Sequence, residues 1–204
     1  MDRDFFSRLT KPAVFALIRH GESEGNAAGI LQGRGEYPLS AAGRTQVREK
    51  ARALAELAGA VPAAERLFFS SPQSRARETA EILREHCSLP APVFLNDLRE
   101  MHLGEWTGKT WAGVNGGGDP GGTDSGGFGA SGGDSGNGGG DGAWDTFRTK
   151  SWDAVPGAER SGELFDRALR VWGRLRDDAA ASGASLVLAV SHGGLIQWLV
   201  KSTV

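Results

Sequence analysis

Two histidines in this 204-residue chain share one setting, and it is a setting that suits an anion. His20 follows Arg19 and precedes Gly21, directly after the apolar run Ala13 to Ile18. His192 precedes Gly193 and Gly194, directly after the run Ser185 to Val190. A third run, Leu67 to Phe69, ends in Ser70-Ser71-Pro72 with Arg75 close behind. Imidazole, with an unperturbed pKa of about 6.5, is a competent nucleophile near neutral pH. Two guanidinium groups, each offering paired donors, suit a phosphate dianion. One histidine would take a phosphoryl group while the other hydrogen-bonds its oxygens. Helices starting after Ser71 and Gly193 would add backbone N–H donors.

These groups meet only if the three runs are parallel strands that end on one side. In open α/β sheets, ligands bind outside the carboxyl ends of the strands. Near-continuous apolar runs fit strands covered on both faces. Helical patterns lie between them. Ser40 is placed to cap a helix over 41–58, stopped by Gly59, with Val47, Ala51, Leu54, Ala55 and Ala58 on its inner face. Ser71 as N-cap and Pro72 as first residue would open a helix to Glu85, with Arg75 and Thr79 on one side. A long helix is expected from Glu159 to Ala181, with Leu164, Phe165, Ala168, Val171, Trp172 and Leu175 facing inward, and a last one from Leu195. Val93 to Leu95 reads as a short strand, whereas Leu98 to Gly108 fits no regular element. The alternation predicts an α/β fold of three layers, a mostly parallel sheet covered by helices on both faces.

Residues 113–142 are of another kind: they hold 16 of the chain's 31 glycines and almost nothing apolar beyond Phe128. Such a stretch buries too little surface to offset its ordering entropy, so it is expected to be a disordered insertion in a single domain spanning 1–204. Net charge is −2, which provides no global basic field for nucleic acid. No run approaches the roughly 20 apolar residues of a membrane span, and the first residues lack a signal-peptide core. The single cysteine, Cys87, allows no internal disulfide. A cytoplasmic protein that contacts neither nucleic acid nor membrane is the expectation.

Taken together, the blocks resemble the histidine phosphatase superfamily, also called phosphoglycerate mutase-like. Leu17-Ile18-Arg19-His20-Gly21-Glu22-Ser23 with Asn26 is similar to its first block. Gln32-Gly33 followed by Pro38-Leu39-Ser40 and Gly43 resembles the next. Ser70-Ser71-Pro72-Gln73-Ser74-Arg75-Ala76-Arg77-Glu78-Thr79-Ala80 is similar to its arginine helix. Leu98-Arg99-Glu100 with Gly104-Glu105-Trp106-Thr107-Gly108 resembles its acid block. Pro156-Gly157-Ala158-Glu159 with Arg167, and then Val190-Ser191-His192-Gly193-Gly194, complete the order.

The resemblance implies the phosphoglycerate mutase-like fold and a mechanism. His20 would be the nucleophile that forms a phosphohistidine. Arg19, Arg75 and His192 would hold the phosphoryl oxygens and stabilise charge in transfer. Glu100 would protonate the leaving oxygen and then deprotonate water, which needs it to carry a proton at the start. Asn26 would contact the phosphoryl group or nearby substrate atoms, with Ser23 on the same rim and Gly193 among the binding residues. No metal or cofactor is implied. The partner is a small phosphomonoester, and family members are monomers or homodimers.

Plainer readings stand beside these. A strand-end histidine can simply bond backbone, and Arg75 can pair with Glu78 or Glu81 on its own helix. Gly193 and Gly194 can serve only tight packing. His86 and His102 read as bystanders; His86-Cys87 has no second ligand pair for a metal. The resemblance also implies a substrate-covering segment where the glycine-rich stretch lies, and further elements beyond Val204, so a truncated C-terminus with an open sheet edge is an expectation. Between Lys109 and Lys150 the only basic residue is Arg148, which favours a phosphatase over a mutase that must hold two phosphates. A mutase-type phosphotransferase and a non-catalytic phosphate-binding module remain the alternatives.

Overall fold

In the computed structural model, which describes residues 4–114 and 151–203, four parallel strands form one sheet in the order β1-β4-β2-β3. The strands are β1 (Val14–Arg19), β2 (Arg66–Ser70), β3 (Val93–Phe94) and β4 (Leu186–Ser191). The helices are α1 (Glu24–Ala27), α2 (Ala41–Gly59), α3 (Ser74–Cys87), α4 (Trp111–Val114), α5 (Ser161–Ser182) and α6 (Gly193–Lys201). The glycine-rich stretch lies outside the described residues, apart from Gly113 and Val114 at the end of α4.

Alternation along β4 divides the core into two layers. Leu186, Leu188 and Val190, with Phe68 of β2, pack against Val47 and Ala51 of α2 and Ala76, Ala80 and Leu83 of α3. Val187 and Ala189, with Phe69, pack against Ala168, Val171, Trp172 and Leu175 of α5 and Leu195 and Leu199 of α6. Side chains on a strand alternate faces, so one wholly buried strand serves both layers. The three-layer expectation is met. Trp172 also donates its Nε1–H to the Leu199 carbonyl at 2.9 Å, which ties α5 to α6 and satisfies the one polar atom that this ring buries.

Register decides where the strands end. Arg19 is opposite Ser191, and Ser70 is opposite Val190. The ladder runs on past both strands, with the His20 N–H on the Ser191 carbonyl at 3.0 Å and the Ser71 N–H on the Val190 carbonyl at 2.9 Å. His20, Ser71 and His192 therefore emerge side by side.

Three helix starts differ from the sequence reading: α5 opens at Ser161 and not at Glu159, whose carboxylate is taken by Arg167, and the other two are α3 and α6. The α3 helix begins at Ser74 with Gln73 as N-cap, not at Pro72 after a Ser71 cap. Ser71 stays extended because its N–H belongs to the sheet ladder and its hydroxyl is engaged by His192. The α6 helix starts at Gly193, two residues before the expected Leu195. The unassigned stretch, Leu98 to Gly108, follows a 3-10 turn at Asn96–Leu98 and holds another at Gly104–Trp106. Gly104 has φ +56, and a Cβ there would meet the Pro156 carbonyl oxygen at 2.0 Å, so this turn can dock on 156–158 only as glycine.

Leu188 has no exposed surface and sits between β2 and the α2/α3 layer. Leu188→Ala should lower unfolding free energy by about 2–5 kcal/mol. Urea unfolding checks this, with an unchanged m value marking a pure packing loss.

Candidate active site

The His20 ring lies just beyond β1 and is 7% exposed. Its Nδ1 is 2.6 Å from the Gly21 carbonyl, and its Nε2 is 3.2 Å from Arg75 Nε. A carbonyl only accepts and a guanidinium only donates, so Nδ1 carries the proton and Nε2 presents its lone pair. Burial lowers the pKa of His20 to about 3; the Gly21 hydrogen bond opposes the shift, and the charges of Arg75 and Arg19 add to it. The ring is thus a neutral base with a free nitrogen beside a cation.

Arg75 is 1% exposed. Its terminal nitrogens donate to the Gly35 carbonyl at 2.8 Å and the Gly33 carbonyl at 2.9 Å. Neither Glu78 nor Glu81 is its partner; Glu78 binds Arg44 at 2.7 Å instead. Burial lowers the pKa of Arg75, while the carboxylates of Glu100 and Glu36 act in the other direction. One turn on, Thr79 accepts the Gly21 N–H at 3.2 Å, so α3 holds the loop behind the nucleophile as well as its lone pair.

His192 has no exposed surface, and its ring centroid is 5.0 Å from that of His20. Burial holds its pKa well below the ordinary value, with Arg75 and His20 adding to the effect. Arg19 is exposed; its guanidinium stem lies 3.4 Å from where a Cβ on Gly193 would be, so it rests over the start of α6.

Glu100 caps that same helix. Its Oε1 accepts from the N–H groups of Met101 at 2.9 Å and Leu195 at 3.1 Å, and its Oε2 from Gly194 at 3.2 Å. A Cβ on Gly194 would meet Oε1 at 2.5 Å, so Gly194 is needed for this approach, not just for packing. The expected N–H donors for phosphate are therefore partly spent. Those of Gly194 and Leu195 go to Glu100, and the first of α3, from Ser74, goes to Glu36 at 2.8 Å. Carboxylates at both helix starts find the same dipole that a phosphate would.

Ser23 and Asn26 are placed differently from a simple rim. Ser23 is fully buried and caps α1, and its hydroxyl lies 2.8 Å from Gln32 Oε1 and 2.9 Å from Asn26 Oδ1. One hydroxyl hydrogen cannot serve both oxygens, so one of the two amides presents its nitrogen to Ser23. Asn26 itself is exposed.

Two buried groups that stand in the quoted sequence blocks had no role assigned to them there. Gln73 accepts the Glu100 N–H at 2.7 Å and donates to the Gly33 carbonyl at 3.2 Å, so it links the acid's backbone to the loop that Arg75 grips. Nothing in its residue type or spacing marked it. Arg167 makes paired bonds to Glu159 at 2.7 and 2.8 Å and donates to the Asp97 and Arg99 carbonyls, which fixes the chain just before Glu100. Burial pushes the Glu159 carboxyl up, yet the bonds and charge of Arg167, helped by the His102 N–H and Arg34, hold it below its usual range. Arg34 completes the group, reaching Glu159 at 3.1 Å and the Glu100 carbonyl at 3.4 Å. Among the described residues, no cluster of His, Cys, Asp and Glu is arranged to hold a metal ion, and no helix is long and apolar enough to cross a membrane.

Both histidines have pKa values below the unfolded value, so below about pH 6.5 the unfolded chain binds more protons. Their contribution to stability is complete above that pH and is lost as pH falls toward the His20 value of about 3. Unfolding free energy should then drop by up to about 1.4 kcal/mol per pH unit for each histidine. Urea titrations from pH 7 to 4 check this: replacing both rings with glutamine should flatten the slope, and equal slopes would contradict it.

Known proteins resemble this chain in sequence and in fold. A profile of the histidine phosphatase superfamily, branch 1, matches residues 15–118, about half the chain. A metal-independent phosphoserine phosphatase of Arabidopsis thaliana is 30% identical over 185 residues, covering 89% of this chain, and the chain spans 64% of that protein's length. A glucosyl-3-phosphoglycerate phosphatase of Mycolicibacterium vanbaalenii is 31% identical over 190 residues, covering 91% of this chain and 72% of its own. The structure of a mycobacterial glucosyl-3-phosphoglycerate phosphatase complexed with VO3 matches with a TM-score of 0.67 at 26% identity, covering 91% of this chain and 78% of its own.

Proposed function

Because the chain belongs to the histidine phosphatase superfamily, we propose that it hydrolyses a small phosphomonoester, without a metal, through a phosphohistidine at His20. One observation carries the reading: a buried neutral imidazole directs its free Nε2 at the guanidinium of Arg75, 3.2 Å away.

His20 Nε2 attacks phosphorus while the ester P–O bond breaks. The phosphoryl oxygens replace His20 as acceptors for Arg75, and Arg19 adds charge from the open side. Glu100, a carboxylate before substrate enters, takes up a proton from the entering phosphate monoanion and gives it to the departing oxygen. Water then attacks the phosphohistidine, Glu100 takes the proton, and inorganic phosphate leaves with His20 restored. A carboxyl group has about four lone-pair sites, and three backbone donors occupy three of them here. The fourth is the place for the transferred proton.

The names of two relatives support one substrate class. Phosphoserine and glucosyl-3-phosphoglycerate, the substrates those relatives are named for, are both phosphate esters of a three-carbon carboxylic acid. Arg34, which reaches the Glu100 carbonyl, is the cation for such a carboxylate.

Hydrolysis of p-nitrophenyl phosphate tests the chemistry. EDTA should leave the rate unchanged, and His20→Ala should lower it by roughly 1000-fold or more. Glu100→Gln should slow phosphoserine far more than the nitrophenyl ester, whose leaving group needs no proton. A His20→Ala variant that retains turnover would rule out the phosphohistidine. Arg34→Ala should raise KM for phosphoserine about 10-fold, with little change for p-nitrophenyl phosphate. Equal changes for both substrates would remove Arg34 from carboxylate binding.

A further inference from the structure

We propose that Ser71 is a positioning residue that fixes the tautomer of His192, so that His192 Nδ1–H is the donor offered to the phosphoryl group; the inference rests on the phosphoryl chemistry above. Ser71 Oγ lies 2.8 Å from His192 Nε2, and both side chains are fully buried. Distance alone leaves the direction of this bond open, because a hydroxyl donates or accepts and either ring nitrogen can hold the proton.

The other contact of Ser71 decides it. Its oxygen already accepts the Gln73 N–H at 3.3 Å. A backbone N–H cannot accept, so among the described residues the one acceptor within reach of the Ser71 hydrogen is His192 Nε2. With Ser71 donating, every polar atom of this pair is satisfied except His192 Nδ1, which finds no partner among the described residues. With the bond reversed, the Ser71 hydrogen would be buried without an acceptor, and Nδ1 would be a buried lone pair without a donor. One orphan group replaces two, and each orphan costs free energy.

The first arrangement is also the one that works. A lone pair at Nδ1 would repel a phosphoryl oxygen, whereas an N–H attracts it. Burial keeps the ring neutral, so the proton on Nδ1 is there by tautomer and not by a second protonation. The orphan is then a donor waiting 5.0 Å, ring to ring, from the nucleophile. The early extended course of Ser71, which delays α3 to Ser74, is what brings its hydroxyl to His192.

Two-bond 1H–15N spectra of protein labelled at histidine read the tautomer directly, with His192 assigned by loss of its signals in His192→Gln. The unmodified chain should show a protonated Nδ1 and an unprotonated Nε2 at His192. A protonated Nε2 with a bare Nδ1 would overturn the proposal, whether or not the protein turns over substrate. Ser71→Ala should shift the His192 tautomer populations and weaken inorganic phosphate binding about 10-fold, and Ser71→Thr should restore both. Unchanged His192 shifts in a folded Ser71→Ala protein would also overturn it. If the tautomer and phosphate binding are as expected but His20→Ala still hydrolyses ester, the phosphohistidine falls and the role of Ser71 stands.

Discussion

A guanidinium buried among neutral acceptors is the constraint around which this site is built. Arg75 reaches two glycine carbonyls and one imidazole nitrogen, and none of these carries a countercharge. Burial of a charge is costly unless it is well bonded, so the loop at 33–35 has to keep its carbonyls pointed inward. Gln73 donates to the same loop and holds it from a second direction. Burial keeps His20 and His192 neutral, and the positive charge of Arg75 adds to the effect at both. An entering dianion supplies the charge that the protein withholds.

Around that centre, carboxylates stand in for ligands. Glu100 and Glu36 occupy the starts of α6 and α3 and accept their first N–H groups. Glu100 is held from three sides: by the start of α6, by Gln73 on its own N–H, and by Arg167 through the carbonyls just before it. In the role proposed for it, giving and taking back a proton at one place, Glu100 would gain from this restraint, because little motion is then lost on reaching the transition state.

The main architecture was legible because it depends on residue type and order. Unbroken apolar runs such as Ala13–Ile18 mark strands with two covered faces, and polar residues placed directly after them mark strand ends. That logic located His20, His192 and Arg75 without any coordinates. What escaped it depends on pairing. Ser71 has the look of a helix cap, but a ladder bond to Val190 and a histidine from a distant strand keep it extended. Ser23 has the look of a rim residue, yet its hydroxyl is used inside the turn that follows it. Gln73 and Gly194 matter only through what lies across from them, and the facing residue is a property of the fold, not of local sequence.

The order of the strands has a consequence for how the molecule comes into being. Among the described residues the β1 strand pairs with β4 alone, and β2 has β4 as its long neighbour, yet β4 is the last of these four strands to be synthesised. Until residue 191 leaves the ribosome, β1 has no strand to bond, and both histidine-bearing ends stay apart. Contacts this distant in sequence close slowly, because the loop entropy must be spent before any pairing is gained. The nascent chain therefore carries an apolar β1 without its β4 partner until residue 191 has been made, and the two histidine-bearing strand ends meet only after that.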